Sequence, residues 1–358
     1  MTTDPITLIT RDLQEVIGLS QLKEIVGKRP LKIYWGTAPT GEIHLGYMVP
    51  LLKIGDFLKA GCQITILLAD LHAFLDAMKS TMEQLTARTQ YYEIVIRELL
   101  HLIGVDTTQL KFIHGTSFQL GSKYTTDMYK FNSIISMGTA KSAGTDVVKQ
   151  SENPTMTGLL YPVLQCLDEE YLDTDCQFGG VDQRKIFALA RDYLPKLGYK
   201  KRIHLMNPIV PGLSKVSARI TGNDGKPQIE FGKMCASQSN SKVNVLDTPK
   251  QLKKKIRGTY CLEGDAEDNS LMILMKQVVF PILDSQNRKF LIQQPEQFGG
   301  ECWEYKSFEE LKRAFETKDL HPTDFKLGVS DFLTDFFEPL REKFDKEHSE
   351  IYKKAYSK

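Results

Sequence analysis

Two textures of apolar and polar positions follow one another along this chain of 358 residues. In the first two thirds, short runs rich in β-branched and aromatic residues alternate with longer segments whose apolar positions recur every three or four residues. Residues 31–35 and 63–68 read as strands, as do the shorter runs 111–113 and 202–206. Helical periodicity covers 44–60 up to Gly61, 81–103 up to Gly104, and 162–172, where Pro162 suits a first turn. At Gly179 and Gly180 a glycine turn is expected, opening a helix that runs to about Leu194. Strands alternating with helices of this length predict a parallel sheet covered on both faces. Beyond residue 247 strand signals fade and helical periodicity dominates, which divides the chain into domains of residues 1–247 and 248–358.

Composition adds mainly exclusions. Hydrophobic residues make up 41% and charged ones 25%, and the formal net charge is +1. That balance gives no global sign of nucleic acid, so any such contact must be a local patch. No run approaches the roughly 18 apolar residues of a membrane span. The opening residues Met1 to Pro5 carry neither a basic nor an apolar leader pattern, so a cytoplasmic protein is expected. The six cysteines are scattered without a CxxC pair, which argues against zinc and a disulfide framework and for reduced, buried thiols.

The densest chemistry lies at residues 31–47. A short strand runs through Tyr34 into the turn Gly36-Thr37-Ala38-Pro39-Thr40-Gly41, and a helix follows with His44 and Gly46 in its first turn. A helix start offers outward N–H groups and a favourable dipole for an anion, and His44 adds a donor. The motif reads as a nucleotide pocket, although a lone His at a helix start is equally a plain cap. Farther on, Tyr161, Gln165 and Asp168 fall at i, i+4 and i+7, on one helix face. From spacing alone that face is either a binding surface or a solvated polar stripe.

The segment ending His44-Leu45-Gly46-Tyr47 resembles the HIGH signature of class I aminoacyl-tRNA synthetases, and Lys233-Met234-Cys235-Ala236-Ser237 resembles their KMSKS loop. Between them, residues 161–171 and 177–184 are similar to tyrosyl-tRNA synthetases of the eukaryotic cytoplasmic and archaeal branch. The likeness runs in order from about residue 8 to 345. It implies an α/β architecture: a Rossmann-like parallel-sheet catalytic domain with a mainly helical C-terminal anticodon-binding domain. It also implies a reaction in which tyrosine attacks the α-phosphate of ATP to give tyrosyl-adenylate and pyrophosphate, after which tRNA-Tyr takes the tyrosyl group. Catalysis of that kind is positioning and charge stabilisation, with Mg2+ on the phosphates and no metal-ligating residue assigned in the protein.

By this resemblance Tyr34 and Asp168 hold the substrate phenol, and Tyr161, Gln165 and Gln183 bind its ammonium. Thr40, Gly41, His44, Gly46, Lys233 and Met234 form the ATP site, where His44 and Lys233 stabilise the departing pyrophosphate. Phenylalanine would leave buried polar groups without a partner, a mode of rejection for which tyrosyl-tRNA synthetases are themselves the reference case. Two departures stand out: Tyr47 replaces a second histidine, and Cys235 and Ala236 occupy the centre of the KMSKS-like loop. Residues 214–232 form an insertion whose Gly222 to Gly225 turn, between two apolar runs, reads as a β-hairpin that steadies that loop. A decoy, Lys215 to Arg219, lies within it.

In the C-terminal region, Phe298 and Asp324 match the family's anticodon-reading segments, by stacking and by base-edge hydrogen bonds. The bland readings are a core phenylalanine and a helix cap. Arg184 matches an acceptor-stem contact, whereas Lys253 to Lys255 offer only sequence-blind phosphate attraction. Residues 124–157 match the family's dimerisation insertion, so a homodimer is expected. Rival readings are a tryptophanyl-tRNA synthetase and a catalytically weakened RNA-binding relative.

Overall fold

The computed structural model describes residues 4–76, 81–108, 110–147, 155–213, 218–221, 227–230, 234 and 242–356. Six strands form the main sheet: β1 (Glu15–Ile17), β2 (Lys32–Thr37), β3 (Gln63–Leu68), β4 (Leu110–His114), β5 (Cys176–Gly180) and β6 (Ile203–Asn207). Their spatial order is β1-β6-β5-β2-β3-β4, so the chain winds outward from β2 in one direction and from β5 in the other. In such sheets the carboxyl ends of the two central strands diverge and leave a crevice. β2 to β6 are mutually parallel where they pair, and β1 adds an antiparallel edge against β6. The expected wholly parallel sheet is therefore corrected at one margin. Three residues are too few to show an alternation.

The larger correction concerns β5. Gly179 and Gly180 are the end of a central strand, in register with Met206 and Asn207, rather than a turn. The turn comes one step later as a single 3-10 turn, Val181–Gln183, followed by the helix Arg184–Tyr193. Glycine weakens a strand through entropy and missing contacts, yet here pairing with both neighbours is already fixed by Cys176 to Phe178.

The helices Met48–Lys59 and Met82–Leu102 cover one face of the sheet, where Phe57 meets Phe178 edge-on with centroids 4.9 Å apart. The first begins as a 3-10 turn, Leu45–Tyr47, and Pro50 falls in its opening turn, where its missing N–H costs nothing. The helix Met156–Tyr171 covers the other face. It starts six residues before Pro162, capped by Thr155, whose hydroxyl accepts from the Gly158 N–H at 3.4 Å. Pro162 thus sits inside the helix and withholds the N–H that Gly158 would otherwise receive. Tyr161, Gln165 and Asp168 still share one face.

Thr248 closes a capping box with Gln251 and opens the helical region at Pro249–Arg257. That region is helical except for an antiparallel pair. The insertion between residues 214 and 232 contains β7 (Ala218–Thr221) and β8 (Pro227–Glu230), antiparallel as expected; the pair in the C-terminal region is β9 (Phe290–Gln293) and β10 (Cys302–Tyr305). One apolar core runs continuously from beneath the sheet into the C-terminal helices, from Ile9 and Trp35 to Phe344 and Ala355. Among the described residues no helix is long and apolar enough to cross a membrane. Cys62, Cys166 and Cys176 are buried free thiols, Cys261 is half-buried and Cys302 exposed.

The long helix Pro322–Glu347 crosses β9 at Gly328, where a Cβ would lie 2.7 Å from Ile292 Cγ1. Gly328→Val is expected to cost about 1–3 kcal/mol through overpacking. Urea unfolding would show it as a lower midpoint with an unchanged slope, and a wild-type midpoint would contradict the packing described.

Candidate active site

A cavity of about 400 Å³ opens at the carboxyl ends of β2 and β5, the divergence point of the sheet. Ten of the residues singled out in the sequence line it: Tyr34, Thr40, Gly41, His44, Gly46, Tyr161, Gln165, Asp168, Gln183 and Met234. Lys233 lies outside the described residues, as do Cys235 and Ala236.

His44 is the cap of the 3-10 turn Leu45–Tyr47, and its Nδ1 accepts from the Gly46 N–H at 3.2 Å. A neutral ring bonded in this way carries its proton on Nε2, so the cap and the outward donor are one side chain with two jobs. Gly46 is needed for close approach: a Cβ there would lie 3.0 Å from the His44 ring. Tyr47 packs edge-on to that ring at 5.1 Å, and its hydroxyl reaches Thr37 at 3.2 Å and Tyr92 at 3.3 Å.

Asp168 lies at the floor, 1% exposed. Its Oδ1 accepts from Gln119 Nε2 and from the Tyr124 hydroxyl, both at 2.8 Å. Among the described residues its Oδ2 has no hydrogen-bond partner, and His72 Nε2 lies 3.8 Å from it. Burial pushes the carboxyl up to about 7, against the two bonds that pull it down. Burial likewise lowers His72 to about 4, so that ring is neutral and offers Asp168 no counter-charge. Tyr34, also 1% exposed, donates to the Gln165 carbonyl across 3.4 Å, a bond long enough to be exchanged readily for a better acceptor. Its hydroxyl is held well above the usual phenol range, first by burial and then by the Asp168 charge.

Above this floor, Gln165 Nε2 donates to Gln183 Oε1 at 3.0 Å, and Tyr161 packs edge-on to His72 at 4.6 Å. Asp76 and Asp182 also line the cavity, and both raise the Tyr161 phenol behind the larger effect of burial. Gly180 makes room for this corner, since a Cβ there would meet Asp182 Oδ1 at 2.3 Å. Spacing did not reveal His72, Asp76 or Asp182, which line the cavity, or Gln119 and Tyr124, which bond Asp168. Only Asp182, inside the 177–184 run, carried a local signal.

The remaining site residues lie elsewhere. Arg184 opens the helix Arg184–Tyr193 and makes a two-pronged ion pair with Glu15 of β1, at 2.7 and 3.0 Å. Phe298 is 67% exposed at the tip of the β9–β10 hairpin, which overturns its reading as core. His321, rather than Asp324, caps the helix Pro322–Glu347, accepting from the Thr323 N–H at 3.2 Å. Asp324 is left in the first turn, half-buried. Among the described residues no group of three or more His, Cys, Asp or Glu side chains is placed to hold a metal ion.

Residues 27–338 match the family described as tRNA synthetases class I (W and Y). The chain is 50% identical over 357 residues to the cytoplasmic tyrosine–tRNA ligase of Saccharomyces cerevisiae, covering 98% of this chain and 86% of that protein. It is also 50% identical over 338 residues to the Xenopus tropicalis protein of the same name, of which it spans 60%. A crystal structure of tyrosyl-tRNA synthetase complexed with L-tyrosine from Archaeoglobus fulgidus superposes with a TM-score of 0.81. It has 33% identity and covers 96% of this chain and 99% of that one.

The raised Asp168 carboxyl has a consequence for stability. A native value near 7, above the ordinary 3.8, means that the folded protein binds this proton more tightly than the unfolded chain. Stability from this group is therefore complete below about pH 4 and lost as pH rises through 7. Asp168→Asn, which keeps an oxygen for Gln119 and Tyr124, is expected to melt higher than the wild type at pH 8. The advantage should shrink towards zero at pH 5. Equal melting temperatures at both pH values would contradict a buried, partly unsatisfied carboxylate.

Proposed function

The chain belongs to the class I tRNA synthetases (W and Y), and we propose that it is a tyrosine–tRNA ligase acting in the cytoplasm. It activates L-tyrosine with ATP to tyrosyl-adenylate and pyrophosphate, and then passes the tyrosyl group to the 3′ end of tRNA-Tyr. The observation that carries this reading is the open Oδ2 of Asp168 beside the buried Tyr34 hydroxyl. One acceptor and one donor at the floor of the cavity match a phenol, which both donates and accepts. Phenylalanine supplies neither group, and an indole supplies only a donor, leaving Tyr34 without an acceptor.

The substrate ammonium lies against Tyr161, Gln165 and Gln183, where Asp76 and Asp182 supply the negative charge. This leaves the tyrosine carboxylate towards the His44 end. A carboxylate oxygen attacks the α-phosphorus, a C(=O)–O–P bond forms, and the bond from that phosphorus to the bridging oxygen breaks, releasing pyrophosphate. His44 Nε2–H donates to the phosphate oxygens as charge moves onto the leaving group, joined by the Lys233 ammonium. Thr40, Gly41, Gly46 and Met234 shape the ATP cradle. Mg2+ arrives on the phosphates of ATP, in keeping with an ion that keeps mostly phosphate and water oxygens as ligands.

For tRNA, an exposed Phe298 offers a face for one anticodon base and Asp324 an acceptor for its edge. Arg184 sits on the rim, where a phosphate would compete with Glu15 for its guanidinium. Leu120, Tyr129, Ile134, Met137 and Met156 are large apolar side chains left exposed around the 124–157 segment. Their exposure supports a homodimer.

ATP–pyrophosphate exchange tests the reading. Exchange should depend on tyrosine and not on tryptophan or phenylalanine. His44→Ala should lower kcat about 10²- to 10³-fold, as loss of a transition-state donor does, with KM for tyrosine nearly unchanged. Exchange driven by tryptophan, or by neither amino acid, would overturn the assignment.

A further inference from the structure

The turn that cradles ATP in the proposed reading is held from behind by the last helix of the described chain, Ser349–Tyr356. Thr40 and Gly41 face the cavity with their front sides. On the back, the Gly41 carbonyl accepts two hydroxyls, from Tyr92 at 2.7 Å and from Tyr356 at 2.8 Å. The Thr40 carbonyl accepts from Arg88 at 2.8 Å, and the same guanidinium donates to the Ala355 carbonyl at 2.9 Å while lying 5.2 Å from the Tyr356 ring centroid. Two residues past Gly41, Ile43 donates its N–H to the Tyr91 hydroxyl at 3.2 Å.

Glu42 extends the same contact to residues 242–245, farther along the chain than Lys233. One carboxylate oxygen accepts from the Tyr352 hydroxyl; the other accepts from Asn244 Nδ2 at 2.6 Å and lies 3.5 Å from Lys242 Nζ. Residues 243–245 pair with 43–45 through Leu45 N–H to the Val243 carbonyl at 2.8 Å and Val245 N–H to the Ile43 carbonyl at 3.1 Å. The segment entering at His44 and residues 242–245 therefore meet at Glu42. A carboxylate with donors from both is a clamp, and its third point is the C-terminal helix.

We propose that Tyr352 and Tyr356 are positioning residues for the ATP half-site, fixing residues 40–44 through the Gly41 carbonyl and Glu42. They touch no reacting atom. Two hydroxyls set where the cradle backbone and the His44 ring stand, so their loss weakens ATP and leaves the amino-acid floor at Asp168 intact. A turn rich in small residues has little packing of its own to hold that shape, which is why bonds from outside decide it. This inference rests on the tyrosine–tRNA ligase reading.

The test is steady-state ATP–pyrophosphate exchange with the full chain and its double variant Tyr352→Phe/Tyr356→Phe, which keeps both rings. KM for ATP should rise about 5- to 30-fold, the range set by two lost hydrogen bonds, and kcat should fall several-fold. KM for tyrosine should stay within about two-fold. A general loosening of the fold would move both constants together, so the split separates positioning from structure. If the double variant loses its cooperative melting transition, Tyr352→Phe alone should still raise KM for ATP about three-fold or more. An unchanged KM for ATP in a natively melting variant, or a parallel rise in both constants, would overturn the proposal. Wild-type protein without tyrosine-dependent exchange would instead overturn the reading beneath it.

Discussion

Asp168 sits beneath the cavity with one oxygen saturated by Gln119 and Tyr124 and the other turned towards the space a ligand would fill. An uncompensated oxygen of this kind costs folding free energy, and nothing in the free protein relieves it, since His72 is kept neutral by its own burial. The rest of the site follows from that unfavourable group. It fixes which ligand atom must come to the floor, because only a donor repairs it. Tyr34 then narrows the choice, since its hydroxyl, held only by a 3.4 Å bond to the Gln165 carbonyl, can turn to donate to an acceptor in the same place. The result is recognition built from two small deficits in place of a large contact surface.

The fold delivers these groups without any of them being close in sequence. Tyr34 comes from β2, Asp168 from the helix before β5, and Gln119 and Tyr124 from the segment after β4. They converge because the sheet changes winding direction between β2 and β5, and the crevice there is lined from both halves. Two glycines keep the crevice open at short range, Gly46 under the His44 ring and Gly180 beside Asp182. The ATP half is stiffened from outside, by hydroxyls from the C-terminal helix. One continuous apolar core joins that helix to the sheet, so the helical region is part of the scaffold for chemistry carried out 300 residues earlier in the chain.

Much of this was legible in the sequence, for identifiable reasons. β3 matches its expected span because Gln63 to Leu68 is rich in β-branched and apolar residues and follows Gly61. The i, i+4, i+7 spacing of Tyr161, Gln165 and Asp168 survived a six-residue error in where their helix starts, since spacing depends on the helix and not on its end. β5 was hidden because Gly179 and Gly180 have the local chemistry of a turn, and only pairing with β6 makes them strand. β1 is a short element whose pairing partner is distant in sequence, and β9 and β10 are four-residue strands that pair only with each other. Gln119, Tyr124 and His72 were invisible for the same reason: a donor to Asp168 is defined by where it ends up, and no periodicity records that.

The central claim is that a substrate phenol completes the Asp168 carboxylate, and its most direct test is the proton balance of binding. A carboxyl pushed up to about 7 by burial in the free protein is favoured in its ionised form when a phenol hydroxyl donates to it. Calorimetric titration with L-tyrosine near pH 6.5, in buffers of different ionisation heat, should therefore register release of a fraction of a proton, vanishing by pH 8.5. Phenylalanine should bind far more weakly and release none. Tyrosine binding without proton release at pH 6.5, or phenylalanine binding as tightly as tyrosine, would contradict the account.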